Sequence, residues 1–335
     1  MTVLVTGAAG FIGMHCTLRL VARGEPVIGI DNLNDYYPVR LKQDRLAQVE
    51  KAAAAAGVGY RFIRCDFADH EALDTALGSL DFDRIIHLGA QAGVRYSIDH
   101  PRAYAQSNLL GHLNMLELAR HRRSGHLVYA SSSSVYGSND SLPFRVEDRV
   151  DHPISLYAAT KKADELMSET YAHLYRLPQT GLRFFTVYGP WGRPDMALWL
   201  FTDAILKGRS ISVFNGGEMR RDFTYIDDIV AGVIAALDHV PADDGAEKAG
   251  GSKSPHAVYN IGNNRSEELT TLIETIEAAC GKTAIREMKP MQPGDVRETF
   301  ADISAIGRDL GFHPTTSIAE GVPRFVDWFR DYHGI

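Results

Sequence analysis

The chain has 335 residues, 45% of them hydrophobic and 23% charged, and a formal net charge of −7 at pH 7. These values indicate a globular chain with a sizeable core and argue against nucleic-acid or membrane-surface proteins, which need clustered basic residues. The N-terminus shows no signal-peptide pattern, and no apolar run reaches the ~18 residues of a membrane helix, so we expect a cytoplasmic protein. Cys16, Cys65 and Cys280 are expected to be buried and unpaired, and no metal site is expected.

Short apolar runs alternate with helical segments through the first half of the chain. Strands are predicted at 2–7, 26–31, 60–66, 84–90, 126–132 and 180–189, and helices at 11–22, 40–56, around 102–122 and at 157–175. This alternation predicts an α/β fold in which helices cover both faces of a parallel, doubly wound, Rossmann-like sheet.

The alternation weakens after about residue 190. The remaining predicted elements are a strand at 211–214, a helix at 227–237, an exposed polar loop at 241–256, a strand at 258–262, and helices near 267–280 and at 318–332. We expect residues 1–180 to form the Rossmann-like domain and residues 181–335 to form a smaller α/β lobe. Segments near 180–190 and 258–262 are expected to return to the main sheet.

A glycine motif lies between the first predicted strand and the first helix. In "GAAGFIG", Gly7, Gly10 and Gly13 allow a tight turn and a close approach of the backbone to a pyrophosphate. The helix that follows presents free N–H groups and the positive end of its dipole to the same phosphates. This context favours a dinucleotide site, although the spacing is GxxGxxG rather than GxGxxG.

Carboxylates at the ends of the next two strands fit the same site. Asp31 can hold the adenosine ribose hydroxyls and would repel a 2′-phosphate, and no arginine follows it in "DNLND", so NAD is favoured over NADP. Asn32 is assigned to this site as well. Asp66 lies where a carboxylate meets the adenine. The alternative for either aspartate is that it only caps a local loop.

Tyr157 and Lys161 are spaced so that one helix face carries both side chains. A tyrosine, with a reference pKa of about 10, is a poor base at neutral pH, but a neighbouring ammonium and an oxidised nicotinamide favour the phenolate. The strand ending in "ASSSSVYG" supplies hydroxyls that can bond the same substrate oxygen. Although a core tyrosine and a surface lysine would explain the spacing alone, the combination indicates alcohol oxidation by NAD.

These motifs together resemble the extended short-chain dehydrogenase/reductase family over nearly the whole chain. The matching stretches are GxxGxxG, "LGA", "SSSSVYG", YxxxK and "RDFTYIDDI". Within the family, "DNLNDYYPVRLKQDRL", "AQAGVRYSI" and "VYGPWGRPDMA" resemble the UDP-glucuronate 4-epimerases. The resemblance implies interconversion of UDP-glucuronate and UDP-galacturonate through a transient 4-keto sugar, with tightly bound NAD in the N-terminal domain and the substrate mainly in the C-terminal lobe.

The resemblance also assigns roles to individual residues. Tyr157 would be the base, Lys161 its partner, which also bonds the nicotinamide ribose, and Ser132 the catalytic serine, with Ser134 as a neighbouring candidate. The residues expected to bind NAD, besides Tyr157 and Lys161, are Gly7, Gly10, Phe11, Ile12, Gly13, Asp31, Asn32, Asp66, Leu88, Ala90 and Asn108.

For the diphosphate, the family's motifs point to Arg95, Arg221 and Arg297, since a planar guanidinium binds phosphate through two hydrogen bonds. Each arginine could instead be a surface or salt-bridging residue. Phe214, in "SVFNGG", is expected to flank the uracil, with a place in the core as the alternative.

A uronate adds a chemical hazard, because a ketone at C4 turns the C5 carboxylate into a β-keto acid that loses carbon dioxide readily. An epimerase must pin that carboxylate, and we assign this task to Thr186, Arg193 and neighbouring hydroxyls, while Ser132 is expected to bind the substrate as well. The alternative for Arg193 is a structural role in its loop.

Other functions remain in competition. A UDP-glucose 4-epimerase would not need Arg193, and a UDP-glucuronate decarboxylase would release carbon dioxide. A 4,6-dehydratase needs an Asp–Glu pair where this chain has Ser133 and Ser134, and a non-catalytic NAD sensor would not need the Tyr–Lys pair. The resemblance also implies a homodimer, formed through the helices at 102–122 and 157–175.

Overall fold

In the computed structural model, which describes residues 1–292 and 294–335, a central parallel sheet organises the fold. The strands within those residues are β1 Val3–Thr6, β2 Val27–Asp31, β3 Tyr60–Arg64, β4 Arg84–His87, β5 His126–Ser132, β6 Gln179–Phe184, β7 Thr186–Tyr188, β8 Ser210–Phe214, β9 Arg220–Tyr225, β10 His256–Ile261, β11 Ser266–Glu268 and β12 Ile285–Lys289. Seven of them form the sheet in the order β10-β6-β5-β4-β1-β2-β3, all parallel.

Helices pack on both faces of this sheet. They are α1 Phe11–Ala22, α2 Val39–Ala56, α3 His70–Leu77, α4 Tyr96–Asp99, α5 Pro101–Tyr104, α6 Gly111–Arg122, α7 Leu156–Tyr175, α8 Ala197–Leu206, α9 Ile226–Asp238, α10 Leu269–Cys280, α11 Ser304–Leu310 and α12 Ile318–His333. Successive residues of β1 point to opposite faces. Accordingly, Val3 joins the apolar core that contains Leu20 and Ile229, whereas Leu4 joins a second core that contains Leu73 and Met115. The predicted doubly wound α/β sheet is confirmed.

The strand order reverses between β1 and β4. In doubly wound sheets, ligands bind at such a point, outside the carboxyl ends of the strands. The loops that follow β1, β2, β4 and β5 therefore define the region in which to look for a site.

The C-terminal part of the chain builds two smaller sheets, β11-β9-β7 and β12-β8. The strand predicted at 180–189 is in fact two strands. Phe185 bonds across to β10, its N–H donating to the carbonyl of Ile261 (3.1 Å), and from Thr186 onward the chain pairs with Phe223 in β9. The chain therefore leaves the main sheet at Phe185, in the middle of the single strand that the sequence predicted.

Other boundaries also differ from prediction. The helix expected around 102–122 is interrupted by a π-helical segment at Ala105–Leu110, and the helix expected near 267–280 begins at Leu269, after β11. Elements α3, α4, α8, α11, β9, β11 and β12 were not predicted. The segment 241–255 contains no helix or strand, as expected, and β10 pairs with β6 in the main sheet. The division into residues 1–180 and 181–335 remains a proposal.

The three cysteines are free and buried, as predicted. Within the described residues, none of the helices is both long and apolar enough to cross a membrane.

Candidate active site

A cavity of about 690 Å³ opens at the carboxyl ends of the central strands and extends toward the smaller sheets. Most of the predicted site residues line it: Gly7, Gly10, Phe11, Ile12, Gly13, Asp31, Asn32, Leu88, Ala90, Arg95, Ser132, Ser134, Tyr157, Lys161, Thr186, Arg193, Phe214 and Arg221. Asp66, Asn108 and Arg297 are not part of its lining. One cavity thus joins the predicted cofactor residues to the predicted substrate residues.

The glycine motif forms a turn that only glycine fits. Gly7 has φ +67°, and a Cβ placed on it would lie 2.8 Å from the Gly89 nitrogen. A Cβ on Gly13 would lie 2.1 Å from the carbonyl oxygen of Gly7. Gly10 precedes helix α1, and no side chain caps the helix, so its first N–H groups are available to an anion. This cradle fits the pyrophosphate of a dinucleotide.

At the end of β2, Asp31 is nearly buried and lines the cavity. One of its oxygens accepts a hydrogen bond from the N–H of Leu33 (2.8 Å) and lies 3.9 Å from the Lys42 ammonium. Lys42 donates to the side chain of Asn34 (2.7 Å), and burial lowers its pKa. A carboxylate at this point can bind ribose hydroxyls, and the nearby Lys42 was not identified from the sequence.

Asp66 lies just outside the cavity lining. Its carboxylate accepts hydrogen bonds from the N–H of Ala68 (3.0 Å) and from the side chain of Asn32 (3.1 Å). These are the contacts of a loop-capping residue, the alternative considered for it. Asp66 is therefore connected to the cavity through its hydrogen bond with Asn32, which lines the cavity.

Helix α7 carries the Tyr–Lys pair, and its first turn is capped by Ser155, which accepts from the N–H of Ala158 (3.1 Å). Lys161 is 4% exposed, and its ammonium donates to the carbonyl of Ala130 (2.9 Å) and to Asp164 (3.1 Å). These bonds fix the lysine against the end of β5, one helical turn from Tyr157. Burial raises the pKa of Asp164 to about 6, although Lys161 opposes that shift.

The serines at the end of β5 differ in their partners. Ser131 donates to the buried Glu165 (2.7 Å). Ser132 donates to the hydroxyl of Ser134 (3.1 Å) and accepts from its N–H (3.2 Å). Ser132 and Ser134 therefore form one hydrogen-bonded unit on the cavity wall, and either hydroxyl can be offered to a substrate oxygen.

Asn108 lies in the π-helical segment and is buried behind the cavity wall. Its amide exchanges hydrogen bonds with the backbone of Gln91 (2.8 and 3.1 Å) and donates to Thr160 (3.0 Å). The asparagine thus ties the loop after β4 to the first turn of α7. It shapes the channel from behind, and Ser107 lines the cavity instead.

The candidate phosphate and uracil residues meet at the other end of the cavity. Arg95 donates to Asp295 (2.8 Å), and its guanidinium lies 5.0 Å from the centre of the Phe214 ring. Arg221 donates to the carbonyl of Arg297 (3.0 Å). The Arg297 side chain lines a separate shallow pocket beside Arg220.

Arg193 lies in the loop between β7 and α8. Its guanidinium makes two hydrogen bonds to Asp195, of 3.0 Å and 2.5 Å, and Tyr36 donates to the same carboxylate (3.0 Å). Burial would lower the pKa of Arg193, but the charge of Asp195 and its hydrogen bonds to the guanidinium outweigh burial and raise that pKa. The guanidinium is therefore a fixed cation on the wall of the cavity that Tyr157 also lines.

Sequence reasoning missed Arg45, which is fully buried in α2. It donates to the carbonyls of Ala9 (3.2 Å), Trp191 (2.7 and 3.1 Å) and Gly192 (2.9 Å), and to the hydroxyl of Tyr37 (2.7 Å). These bonds join the glycine loop to the loop that carries Arg193. The sequence did contain a sign that Arg45 is buried, because position 45 falls on the same helix face as Leu41 and Val49.

Comparison with known proteins places these features in a family. The sequence matches the family model described as GDP-mannose 4,6 dehydratase over residues 4–325. It is 48% identical to a probable UDP-glucuronate 4-epimerase of Rhizobium meliloti (strain 1021), covering 98% of this chain and 97% of that protein. It is 49% identical to the protein CapI of Staphylococcus aureus, covering 99% of each. The crystal structure of the UDP-glucuronic acid 4-epimerase of Bacillus cereus, in complex with UDP-glucuronic acid and NAD, is similar, with a TM-score of 0.85, 31% identity and coverage of 99% and 100%.

Proposed function

Because this chain belongs to the GDP-mannose 4,6 dehydratase family, within the extended short-chain dehydrogenases/reductases, we propose that it is an NAD-dependent UDP-glucuronate 4-epimerase. The proposed reaction interconverts UDP-glucuronate and UDP-galacturonate. The observation that carries the choice of substrate is Arg193, a fixed cation on the wall of the cavity that also contains Tyr157 and Ser132. The N–H donors of Arg193 that Asp195 does not use can bind a carboxylate on the sugar, whereas a neutral hexose offers them no charged acceptor.

The chain's own residues suit the proton transfer. Tyr157 would take the proton of the sugar O4 hydroxyl, and the ammonium of Lys161 is held one helical turn away by its hydrogen bond to the carbonyl of Ala130. Ser132 or Ser134 would donate a hydrogen bond to O4 as it becomes a ketone. The chemistry that NAD supplies when bound is reversible acceptance of a hydride from C4. The glycine cradle and Asp31 would hold it.

Epimerisation also requires the keto sugar to turn while its nucleotide stays bound. Arg95 and Arg221 would hold the diphosphate and Phe214 the uracil, at a distance from the reacting carbon. Arg193 and Thr186 would hold the C5 carboxylate in each orientation. One set of residues would hold the nucleotide firmly and a separate set would hold the carboxylate. This division supports an epimerase rather than a simple dehydrogenase.

Two alternatives share the cavity. Some similar structures carry UDP-glucose, including a UDP-glucose 4-epimerase of Thermotoga maritima at 29% identity and a TM-score of 0.86. A UDP-glucuronate decarboxylase would use the same first step. Dehydration is disfavoured despite the family's description, because Ser133 and Ser134 follow the candidate catalytic serine where that chemistry needs an Asp–Glu pair.

We also propose a homodimer in the cytoplasm. Helices α6 and α7 pack together and expose large apolar side chains: Leu113 on α6, and Leu166, Leu174 and Tyr175 on α7. Burial of such side chains against a second copy would remove apolar surface from water. Light scattering on the purified protein tests the dimer.

The experiment for the function is direct. Purified protein is given UDP-glucuronate without added cofactor, and the products are followed by NMR. We expect UDP-galacturonate to appear and the Tyr157→Phe variant to be slower by about a thousandfold. Much faster turnover of UDP-glucose, or release of UDP-4-ketopentose or UDP-xylose as the main product, would contradict the proposal.

A further inference from the structure

The Arg193–Asp195 pair raises a question of its own, because the carboxylate that holds this arginine comes from the protein. The two side chains are 23% and 30% exposed, and ion pairs with this much solvent contribute little to stability. The pair is nevertheless bidentate, the geometry that fixes a guanidinium in one plane. Its contribution is therefore to orientation rather than to folding.

A third side chain holds the pair in place. The Tyr36 hydroxyl donates to the Oδ2 atom of Asp195 (3.0 Å), and its ring packs against Tyr96 with centroids 4.8 Å apart. Burial, followed by the charge of Asp195, raises the pKa of Tyr36 to about 12, so the hydroxyl stays protonated and donates at neutral pH. Burial would raise the pKa of Asp195, but Arg193 and Tyr36 outweigh it and lower that pKa. Asp195 is thus an ionised acceptor fixed from two sides.

This arrangement leaves part of Arg193 available. A guanidinium has five N–H donors, and the two bonds to Asp195 use two of them. The remaining donors belong to a side chain that lines the same cavity as Tyr157. An arginine held in this way has already lost its rotamer freedom, so it binds a substrate carboxylate without paying that entropy again.

On the basis of the proposed function, we propose that Asp195 is a positioning residue that, together with Tyr36, sets the guanidinium of Arg193 for the C5 carboxylate of a uronate. The pair would confer preference for uronates over neutral hexoses. It would also keep the C5–C6 bond out of alignment with the C4 carbonyl while the keto sugar is bound.

The second consequence concerns a side reaction. In decarboxylation of the 4-keto uronate, the C5–C6 bond breaks and carbon dioxide leaves. The electron pair of that bond forms an enolate across C5 and C4, and C5 then takes up a proton to give UDP-4-ketopentose. The hydride removed from C4 remains on the cofactor. A loosely held Arg193 would allow the alignment that this step needs.

The test is the Asp195→Asn variant, which keeps the shape of the side chain but offers one acceptor oxygen instead of two. We expect the ratio of kcat/KM for UDP-glucuronate to kcat/KM for UDP-glucose to fall about tenfold, and the fraction of UDP-4-ketopentose among the NMR products to rise. Tyr36→Phe should change both quantities in the same direction by less. A ratio of two substrates, or of two products, does not depend on how much of the protein is folded.

Asp203→Asn is the matched control, since Asp203, on helix α8, pairs with Lys207 and Arg209 just after that helix, and none of the three residues lines the cavity. It should leave both ratios unchanged. Equal losses for both substrates in Asp195→Asn, with no added ketopentose, would overturn the proposal and make Asp195 merely structural. A lower KM for UDP-glucuronate together with a lower kcat would also overturn it, because Asp195 would then compete with the substrate. Failure of the proposed function looks different, since the wild-type protein itself would not convert UDP-glucuronate.

Discussion

The two ends of the cavity differ in the groups that line them. At the cofactor end these groups are mainly backbone: Gly7 and Gly13 bring main-chain atoms together, and helix α1 begins without a side-chain cap. The sugar-nucleotide end is made of long charged side chains that are held by neighbours, as Arg95 is by Asp295 and Arg193 by Asp195.

This difference suits two kinds of binding. A rigid backbone cradle can keep a ligand through many turnovers, because little has to move when the ligand is present. Arginines held by carboxylates keep an internal partner when a substrate anion leaves, so neither charge is left unpaired. An epimerase retains its cofactor but must turn and release its sugar. It therefore needs a rigid backbone site for the cofactor and a site of charged side chains for the sugar nucleotide.

The substitution expected to disrupt NAD binding at the cofactor end most strongly is Gly13→Ala. The added Cβ would lie 2.1 Å from the carbonyl oxygen of Gly7, so the backbone of the turn has to move. We expect a loss of about 4 kcal/mol in the free energy of unfolding and loss of NAD from the purified protein. Thermal unfolding and the NAD content of an acid extract measure the two effects.

Gly307→Ala is the matched control, since Gly307 also lies in a helix but its added Cβ would have its closest contact at 3.4 Å. It should be neutral or slightly stabilising. If Gly13→Ala behaved like this control and kept its NAD, the turn would not be the rigid cradle described here.

Arg45→Met tests the connection between the two ends. The change removes five hydrogen bonds and leaves the carbonyls of Ala9, Trp191 and Gly192 without their donor. We expect a loss of about 3 kcal/mol in the free energy of unfolding. Because these bonds join the glycine loop to the Arg193 loop, retention of NAD should fall as well, and UDP-glucuronate should raise the melting temperature less than it does for the wild type.

Arg40→Met, in the same helix but with its side chain 88% exposed, controls for the loss of charge and of helix propensity. Arg45→Lys should be intermediate, because an ammonium reaches fewer of the same acceptors. Equal melting temperatures for the Arg40 and Arg45 variants would contradict the proposed connection.

Much of the cofactor end could be predicted because its signals are local. Apolar runs and the helices between them identify a parallel sheet, and the glycines of "GAAGFIG" describe their turn without reference to any distant residue. The spacing of Tyr157 and Lys161 is likewise a property of a single helix. The glycine motif and the Tyr–Lys spacing each span fewer than about ten residues, so the local sequence is enough to identify them.

The parts that could not be predicted depend on partners far along the chain. The stretch 180–189 gives no sign that the chain changes sheets at Phe185, because the cause is pairing with β10 on one side and β9 on the other. Arg45 depends on carbonyls nearly 150 residues away. Arg193 and Asp195 are only two positions apart. Tyr36, whose hydroxyl holds Asp195 in place, comes from the other half of the chain.

The smallest predicted effect concerns Asp222, a buried carboxylate in β9 next to Arg221. It accepts hydrogen bonds from the N–H groups of Asn263 (2.6 Å) and Ala301 (3.2 Å). Burial raises its pKa to about 6 from 3.8, and these hydrogen bonds offset only part of that shift. Because the folded-state pKa is the higher one, the stability due to this group is fully present below about pH 4 and is lost as the pH rises through about 6.

Asp222→Asn removes this titration, so the difference in stability between variant and wild type should depend on pH. Between about pH 5 and about pH 7.5, the free energy of unfolding of the variant should rise relative to the wild type by about 1.4 kcal/mol. Urea titrations of both proteins across that range measure the difference, in which the titration of Asp164 cancels because both proteins contain it. Asp243→Asn should show no such trend, because its hydrogen bond to Arg176 lowers the pKa of exposed Asp243 and places its titration below this range. A difference that stays flat with pH would mean that Asp222 is already ionised throughout this range and would contradict the prediction.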